Sequence, residues 1–95
     1  MRFEWDPAKA RENARKHGIA FEEAETVFSD DQAILLPDPD HSTDEDHFVL
    51  LGMSANLRIL VVVHCYRETD EVTRLISARK ATRSERAQYG ARWMK

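Results

Sequence analysis

Apolar and polar positions along the chain follow two periods, and each change of period marks an element. "FEWD" alternates as a short strand or extended lead-in. "DPAKARENARKHG" then turns helical, with Asp6 as N-cap, Pro7 at the first helical position and Gly18 suited to the left-handed C-terminal position. Its stripe of Ala10, Ala14 and His17 is small, so this helix approaches a neighbour closely but buries little. "FEEAETVF" sets Phe21, Ala24, Val27 and Phe28 on one face of a second helix, with Glu22 and Glu23 favouring the dipole of its first turn. From there the period is that of strands. "QAILLP" ends at Pro37, "HFVLLGMS" and "RILVVVHCY" flank "ANL" as a hairpin, and "VTRLISAR" follows the polar turn "RETDE". The acidic "DPDHSTDEDH" reads as a loop. Thr82 and Glu85 then form the T-x-x-E capping box of a last helix reaching about Tyr89. Two helices, four strands and a helix predict an α+β fold around an antiparallel sheet, with residues 1–95 as one domain.

If the strands pair symmetrically about their turns, side chains can be assigned to faces. One face then carries Val49, Leu51, Met53, Ile59, Val61, Val63, Cys65, Ile76 and Ala78, nearly all apolar and suited to cover by the second helix. The other carries Phe48, Leu50, Gly52, Leu60, Val62, His64, Leu75, Ser77 and Arg79, a mixed surface and so the expected working face. His64 and Cys65 point to opposite faces, which excludes a local Cys–His nucleophilic pair. In this register His64 lies opposite Leu75, and Arg79 is about 13 Å further along at about 3.3 Å per residue. The two would contact successive nucleotides rather than one oxygen atom.

Charge sharpens the picture. Residues 1–20 sum to +2, residues 21–48 to −10 and residues 49–95 to +5, giving the net −3. Such segregation lets one end hold a polyanion while another meets a basic protein, so net acidity does not exclude RNA. The longest apolar run, Ile59 to Val63, is far below the roughly 20 residues of a membrane span, and no signal peptide is visible. The lone Cys65 excludes an internal disulfide framework, fits a buried small apolar role and suits a reducing cytosol; a cytoplasmic location is expected.

Metal chemistry finds little support in the spacing. Asp38, Asp40, Asp44 and Asp46 alternate like a calcium loop, but Thr43 and Val49 stand where such a loop needs Gly and Glu. His41, His47, His64 and Cys65 lack zinc spacing. No metal or cofactor is expected. The basic stretch "ISARKATRSER" holds Arg79, Lys80, Arg83 and Arg86 at a strand-to-helix junction, and a helix start favours anions. Lys80 and Arg86 read as solvent-facing cations, while Arg79 is well placed for phosphate. Lys16 and His17 suit the negative end of the first helix, and His64 among Leu60, Val62 and Leu75 fits a satisfied semi-buried histidine.

Taken together, "WDPAKARENARKHG", "FEEAETVF", "LVVVH" and "ISARKATRSERAQY" resemble the BrnT family of type II toxins, over nearly the whole chain and in the same order. The resemblance implies a RelE-like ribonuclease fold and translation-blocking RNA cleavage without a metal. It also implies neutralisation by a BrnA-like ribbon-helix-helix antitoxin, in a hetero-oligomer that represses its own operon and touches operator DNA only through that partner. Two departures stand out. Ala20 replaces the usual Ser-like cap of the second helix, and His47 stands where the acidic loop commonly ends in Arg.

A metal-free nuclease can use the 2′-OH of RNA as nucleophile, so the protein must orient the strand, move protons and stabilise a pentavalent phosphate. The expected catalytic set is Arg79 on the phosphate, Arg83 or Lys80 assisting, and His64 or His17 as proton carrier, with Lys9, Lys16, Lys80 and Arg86 binding RNA. The alternative is a non-catalytic module that pairs with a DNA-binding antitoxin and tunes repression, for which the segregated charge is equally suited. Direct DNA binding is disfavoured because no helix carries a basic, polar recognition face.

Overall fold

The computed structural model describes residues 1–38, 46–67 and 71–92. Most of the acidic loop, with Asp40 and Asp44 of the calcium-like spacing, and part of the "RETDE" turn lie outside the described residues. In chain order the elements are β1 (Arg2–Glu4), α1 (Pro7–His17), α2 (Phe21–Thr26), a 3₁₀ turn (Val27–Ser29), β2 (Ile34–Pro37), β3 (Phe48–Met53), β4 (Ile59–Tyr66), β5 (Val72–Lys80) and α3 (Arg83–Ala91). The strands form one sheet in the order β1-β5-β4-β3-β2. Neighbours from β2 to β5 are antiparallel, but β1 runs parallel to β5. The sheet is therefore mixed, not wholly antiparallel as expected. Both helices and three strands separate β1 from β5 in the chain, ample for the crossover that a parallel pair requires.

Local punctuation acts where the residues predict. The Asp6 carboxylate accepts from the Ala8 amide at 2.8 Å, and Gly18 closes α1 at φ 70° by donating to the Ala14 carbonyl. α2 starts at Ala20 with no side-chain cap. Thr82 and Glu85 form both halves of the capping box of α3.

The β3–β4 hairpin has the expected symmetric register, from Phe48 opposite His64 to Met53 opposite Ile59. The β4–β5 pairing does not. His64 opposes Leu75 as expected, but Val63 opposes Ser77, which leaves Ile76 as an extra residue in a bulge. Beyond it every β5 side chain changes side relative to the symmetric register, because side chains alternate with period two. Ser77 and Arg79 join the face of Val61 and Val63, and Ala78 joins that of Leu60 and Val62.

Cover of the two faces is correspondingly reversed from expectation. Ile19, Phe21, Ala24 and Val27 pack on Leu50, Leu60, Val62, Leu75 and Ala78, so α2 seals the face that carries His64. Gly52 permits this closeness: a Cβ there would lie 2.8 Å from the Ala33 Cβ and 2.9 Å from the Val27 Cγ1. Asn13, buried on α1, closes the edge of β5. Its amide donates to the carbonyls of Ile19 and Ala78, both at 2.9 Å, and its Oδ1 accepts from the Ala78 amide at 3.0 Å. The side chain thus supplies Ala78 with the ladder partner that β1, ending at Glu4, does not reach.

On the other face, α3 lays Tyr89 over a smaller cluster of Leu51, Val61 and Ala81, flanked by Ile34, Met53 and Ile59. The Tyr89 hydroxyl donates to the Asp30 carboxylate at 2.6 Å, and the same Oδ2 accepts from the Met53 amide at 2.8 Å. A second carboxylate, Glu23, binds Arg58 through both oxygens and accepts from the Ser54 hydroxyl, tying the hairpin tip to α2.

Candidate functional site

α3 shields only part of its face. The rest is a hollow of about 590 Å³, floored by Val49, Val61 and Val63 and walled by Leu36 and Pro37 of β2. Polar groups stand around it: His17 from the end of α1, Asp38 and His47 from the chain around β2 and β3, Ser77 and Arg79 from β5, and Glu85 from α3. A narrower hollow of about 190 Å³ shares His17, Ile76 and Ser77 with it and adds Lys9, Glu12 and Lys16 along α1. Cationic side chains of α1 thereby continue the same surface beyond His17.

Arg79 is the most constrained cation of the site. Its Nη1 and Nη2 donate to the two carboxylate oxygens of Glu85 at 2.8 and 3.0 Å, and Nη1 also donates to the Lys80 carbonyl at 3.2 Å. Glu85 Oε1 in turn accepts from the Thr82 amide at 2.8 Å, completing the capping box. This pairing with Arg79 foremost, with the Thr82 amide assisting against partial burial, pulls the Glu85 carboxyl down to about 2. The arginine is raised in turn, chiefly by the same carboxylate. At neutral pH Glu85 is an acceptor and a counter-charge rather than a proton carrier.

His64 sits elsewhere. It is fully buried on the sealed face, edge-on to Phe28 with ring centroids 4.9 Å apart. Its Nδ1 lies 3.1 Å from the Val62 carbonyl, which can only accept, so Nδ1 carries the proton and Nε2 accepts from the Tyr66 hydroxyl at 3.2 Å. Burial foremost pushes its pKa below the ordinary histidine value, against the Val62 carbonyl and with repulsion from His47 adding. The expectation that His64 and Arg79 share a face is corrected: the bulge at Ile76 puts them on opposite sides of the sheet.

The remaining predicted residues divide. Arg79 and His17 line one hollow, with Lys9 and Lys16 in the adjoining one. Lys80 and Arg86 line a separate hollow beside Leu57, Met53 and Ile59 at the hairpin tip, and Arg86 donates to the Ala81 carbonyl. Arg83 is exposed on the first turn of α3 and lines none of these three. The four cations of "ISARKATRSER" therefore do not form one cradle. Glu85 was legible only as a cap, since the T-x-x-E spacing says nothing of a partner six residues upstream. Cys65 is buried, as its residue type suggested. Among the described residues no three His, Cys, Asp or Glu side chains are grouped to hold a metal ion, and no helix is long and apolar enough to cross a membrane.

Comparison with known proteins supplies what geometry alone does not. No curated protein matches the chain. The 1.1 Å crystal structure of the Brucella abortus ribonuclease toxin BrnT is similar to it with a TM-score of 0.66 and 25% identity, covering 87% of this chain and 99% of that one. The family model described as "Ribonuclease toxin, BrnT, of type II toxin-antitoxin system" matches residues 5–85. With most of its length inside that match, the chain belongs to the BrnT family of ribonuclease toxins of type II toxin–antitoxin systems.

Proposed function

We propose that the protein cleaves RNA without a metal, at the hollow beside the start of α3, and so blocks translation. The convergence of Arg79 and His17 from distant parts of the chain on one open hollow carries this reading. Arg79 holds a phosphate of the strand, and its charge stabilises the extra negative charge of the pentavalent species formed when the 2′-OH attacks. His17 moves a proton, imidazole being the side chain that titrates nearest neutrality. His47, on the same wall, is the second imidazole within the hollow and so a candidate for the complementary proton step. Lys9 and Lys16 extend the path of the backbone along α1. His64, neutral and enclosed, has no access to a substrate and takes no part in this scheme.

The fold that carries this site is of the RelE-like kind. Its partner is a BrnA-like ribbon-helix-helix antitoxin that neutralises the toxin in a hetero-oligomer and contacts operator DNA for both. The run of ten carboxylates and no Lys or Arg across residues 21–48 suits a basic surface on that partner.

The test is incubation of purified protein with RNA in EDTA, beside the Arg79→Ala variant prepared identically. Cleavage by the wild type, with a rate about 100- to 1,000-fold lower in the variant, is expected for loss of a charge-stabilising donor. Equal rates for the two proteins would remove Arg79 from the mechanism, and cleavage abolished by EDTA would remove metal independence.

A further inference from the structure

An arginine has five N–H groups arranged on two usable edges, and Arg79 has spent one edge. Nη1 gives one hydrogen to Glu85 Oε1 and one to the Lys80 carbonyl, and Nη2 gives one to Glu85 Oε2. What remains is Nε–H and the second Nη2–H, for which no hydrogen-bond partner stands among the described residues. These two lie side by side, the fork that binds two oxygens of a phosphate at once. The carboxylate that occupies the other edge is itself immobilised, because Oε1 also accepts from the main-chain amide of Thr82 at 2.8 Å, a bond in which the Thr82 side chain takes no part. The orientation of Arg79 is thereby referred to the backbone at the start of α3.

We infer that Glu85 is a positioning residue for the ribonuclease reaction: by holding the Nη1/Nη2 edge of Arg79, it reserves the Nε/Nη2 edge for the RNA phosphate. This rests on the reading that Arg79 holds phosphate. A carboxylate placed merely as a counter-charge would weaken RNA binding, and its removal would only help the enzyme. A carboxylate that aims the guanidinium leaves a different trace. Without it the arginine keeps its charge and still attracts RNA, but loses the orientation on which the rate depends.

The experiment compares Glu85→Ala, Glu85→Gln, Arg79→Lys and Thr82→Ala with the wild type and Arg79→Ala, measuring kcat and KM on a single-stranded RNA oligonucleotide and the melting temperature of each protein. Glu85→Ala is expected to lower kcat by about 10- to 100-fold with KM unchanged or lower. Glu85→Gln keeps an acceptor for Nη1 but opposes an NH₂ to Nη2, so it should fall between Glu85→Ala and the wild type. Arg79→Lys, a point charge without a fork, should resemble Arg79→Ala within a few-fold. Thr82→Ala takes away the other half of the cap; its melting temperature should fall while kcat stays within about 2-fold of wild type. Should Glu85→Ala fail to fold, Glu85→Gln carries the test through the same split of kcat against KM.

Wild-type kcat in both Glu85 variants, beside an inactive Arg79→Ala, would overturn the positioning role and leave Arg79 in place. A loss of kcat in Thr82→Ala equal to that in Glu85→Ala would also overturn it, by showing that the cap alone matters. Wild-type cleavage by Arg79→Ala would overturn both readings together.

Discussion

The two faces of the sheet are built from the same kinds of residue, yet one is sealed and the other is left part open. On the sealed face, α1, α2 and the 3₁₀ turn converge on Leu50, Leu60, Val62 and Leu75, and Asn13 on the β5 edge and His64 between Val62 and Tyr66 are enclosed with their partners, while the Thr73 hydroxyl is buried without one among the described residues. On the open face a single helix of nine residues covers one end, and three valines are left as the floor of a hollow ringed by His17, His47, Arg79 and Glu85. The difference lies less in composition than in how many elements reach each side. Asn13 and Glu23 tie α1 and α2 to the strands on the sealed side, whereas α3 is held chiefly by Tyr89 on Asp30, with the part-exposed Arg79–Glu85 pair at its start. A charged pair at the mouth of a hollow remains available to a ligand; a histidine at the centre of a packed layer does not.

Substitutions on the two faces should therefore fail in opposite ways. The largest effect belongs to the open face: Arg79→Ala should lose about two to three orders of magnitude in RNA cleavage while its melting temperature changes little, the site being partly exposed. Next is Asn13→Ala, which strips partners from the Ala78 amide and from buried carbonyls. Unpaired buried groups cost about 1–3 kcal/mol each, so a loss near 3 kcal/mol is expected from denaturant unfolding. Gly52→Ala should cost about 1–3 kcal/mol, since the new methyl meets Ala33, Val27 and Asp30 at 3.0 Å or less with packed neighbours on each side. An unchanged unfolding midpoint in Gly52→Ala would show that the seal is looser than described.

A smaller effect follows from His64. Its folded pKa lies below its unfolded value, so the unfolded chain binds the proton first as pH falls. Stability should therefore be full above about pH 6.5 and decline below it toward the folded pKa. Thermal melts from pH 7.5 to 5 should show this slope, and His64→Leu should flatten it. A companion loss, from the depressed Glu85 carboxyl, comes lower still, between the usual carboxylate range and about 2. The slightest expected change is a gain. Ala20→Ser gives α2 the side-chain cap it lacks and should add about 0.5–1 kcal/mol without altering cleavage.

Much of this architecture is legible in short stretches of chain. Asp6, Pro7 and Gly18 bound α1, Thr82 and Glu85 open α3, and the "ANL" turn sets the β3–β4 register, because each of these signals acts through bonds within a few residues. The site is legible in part. Arg79 and His17, whose residue types point to phosphate binding and proton transfer, meet in one hollow, with Lys9 and Lys16 alongside. The pairing of Arg79 with His64 was wrong, and so was the choice of face for α2, for one shared reason. Nothing in "RLISAR" distinguishes a regular strand from one with an extra residue at Ile76, and a single inserted residue exchanges the sides of all that follow.

Local chemistry in the chain therefore settled where helices begin and end, which segments are strands and how charge is distributed, since capping, turn formation and alternation act over a few residues. Long-range packing settled which side of the sheet was sealed, that β1 joins it in parallel, and that Glu85 grips Arg79. Those outcomes depend on the register between strands and on what Gly52 and Asn13 allow the helices to touch. Such contacts are set by three-dimensional fit, and one residue of slip in β5 was enough to decide which arginine and which histidine share a surface.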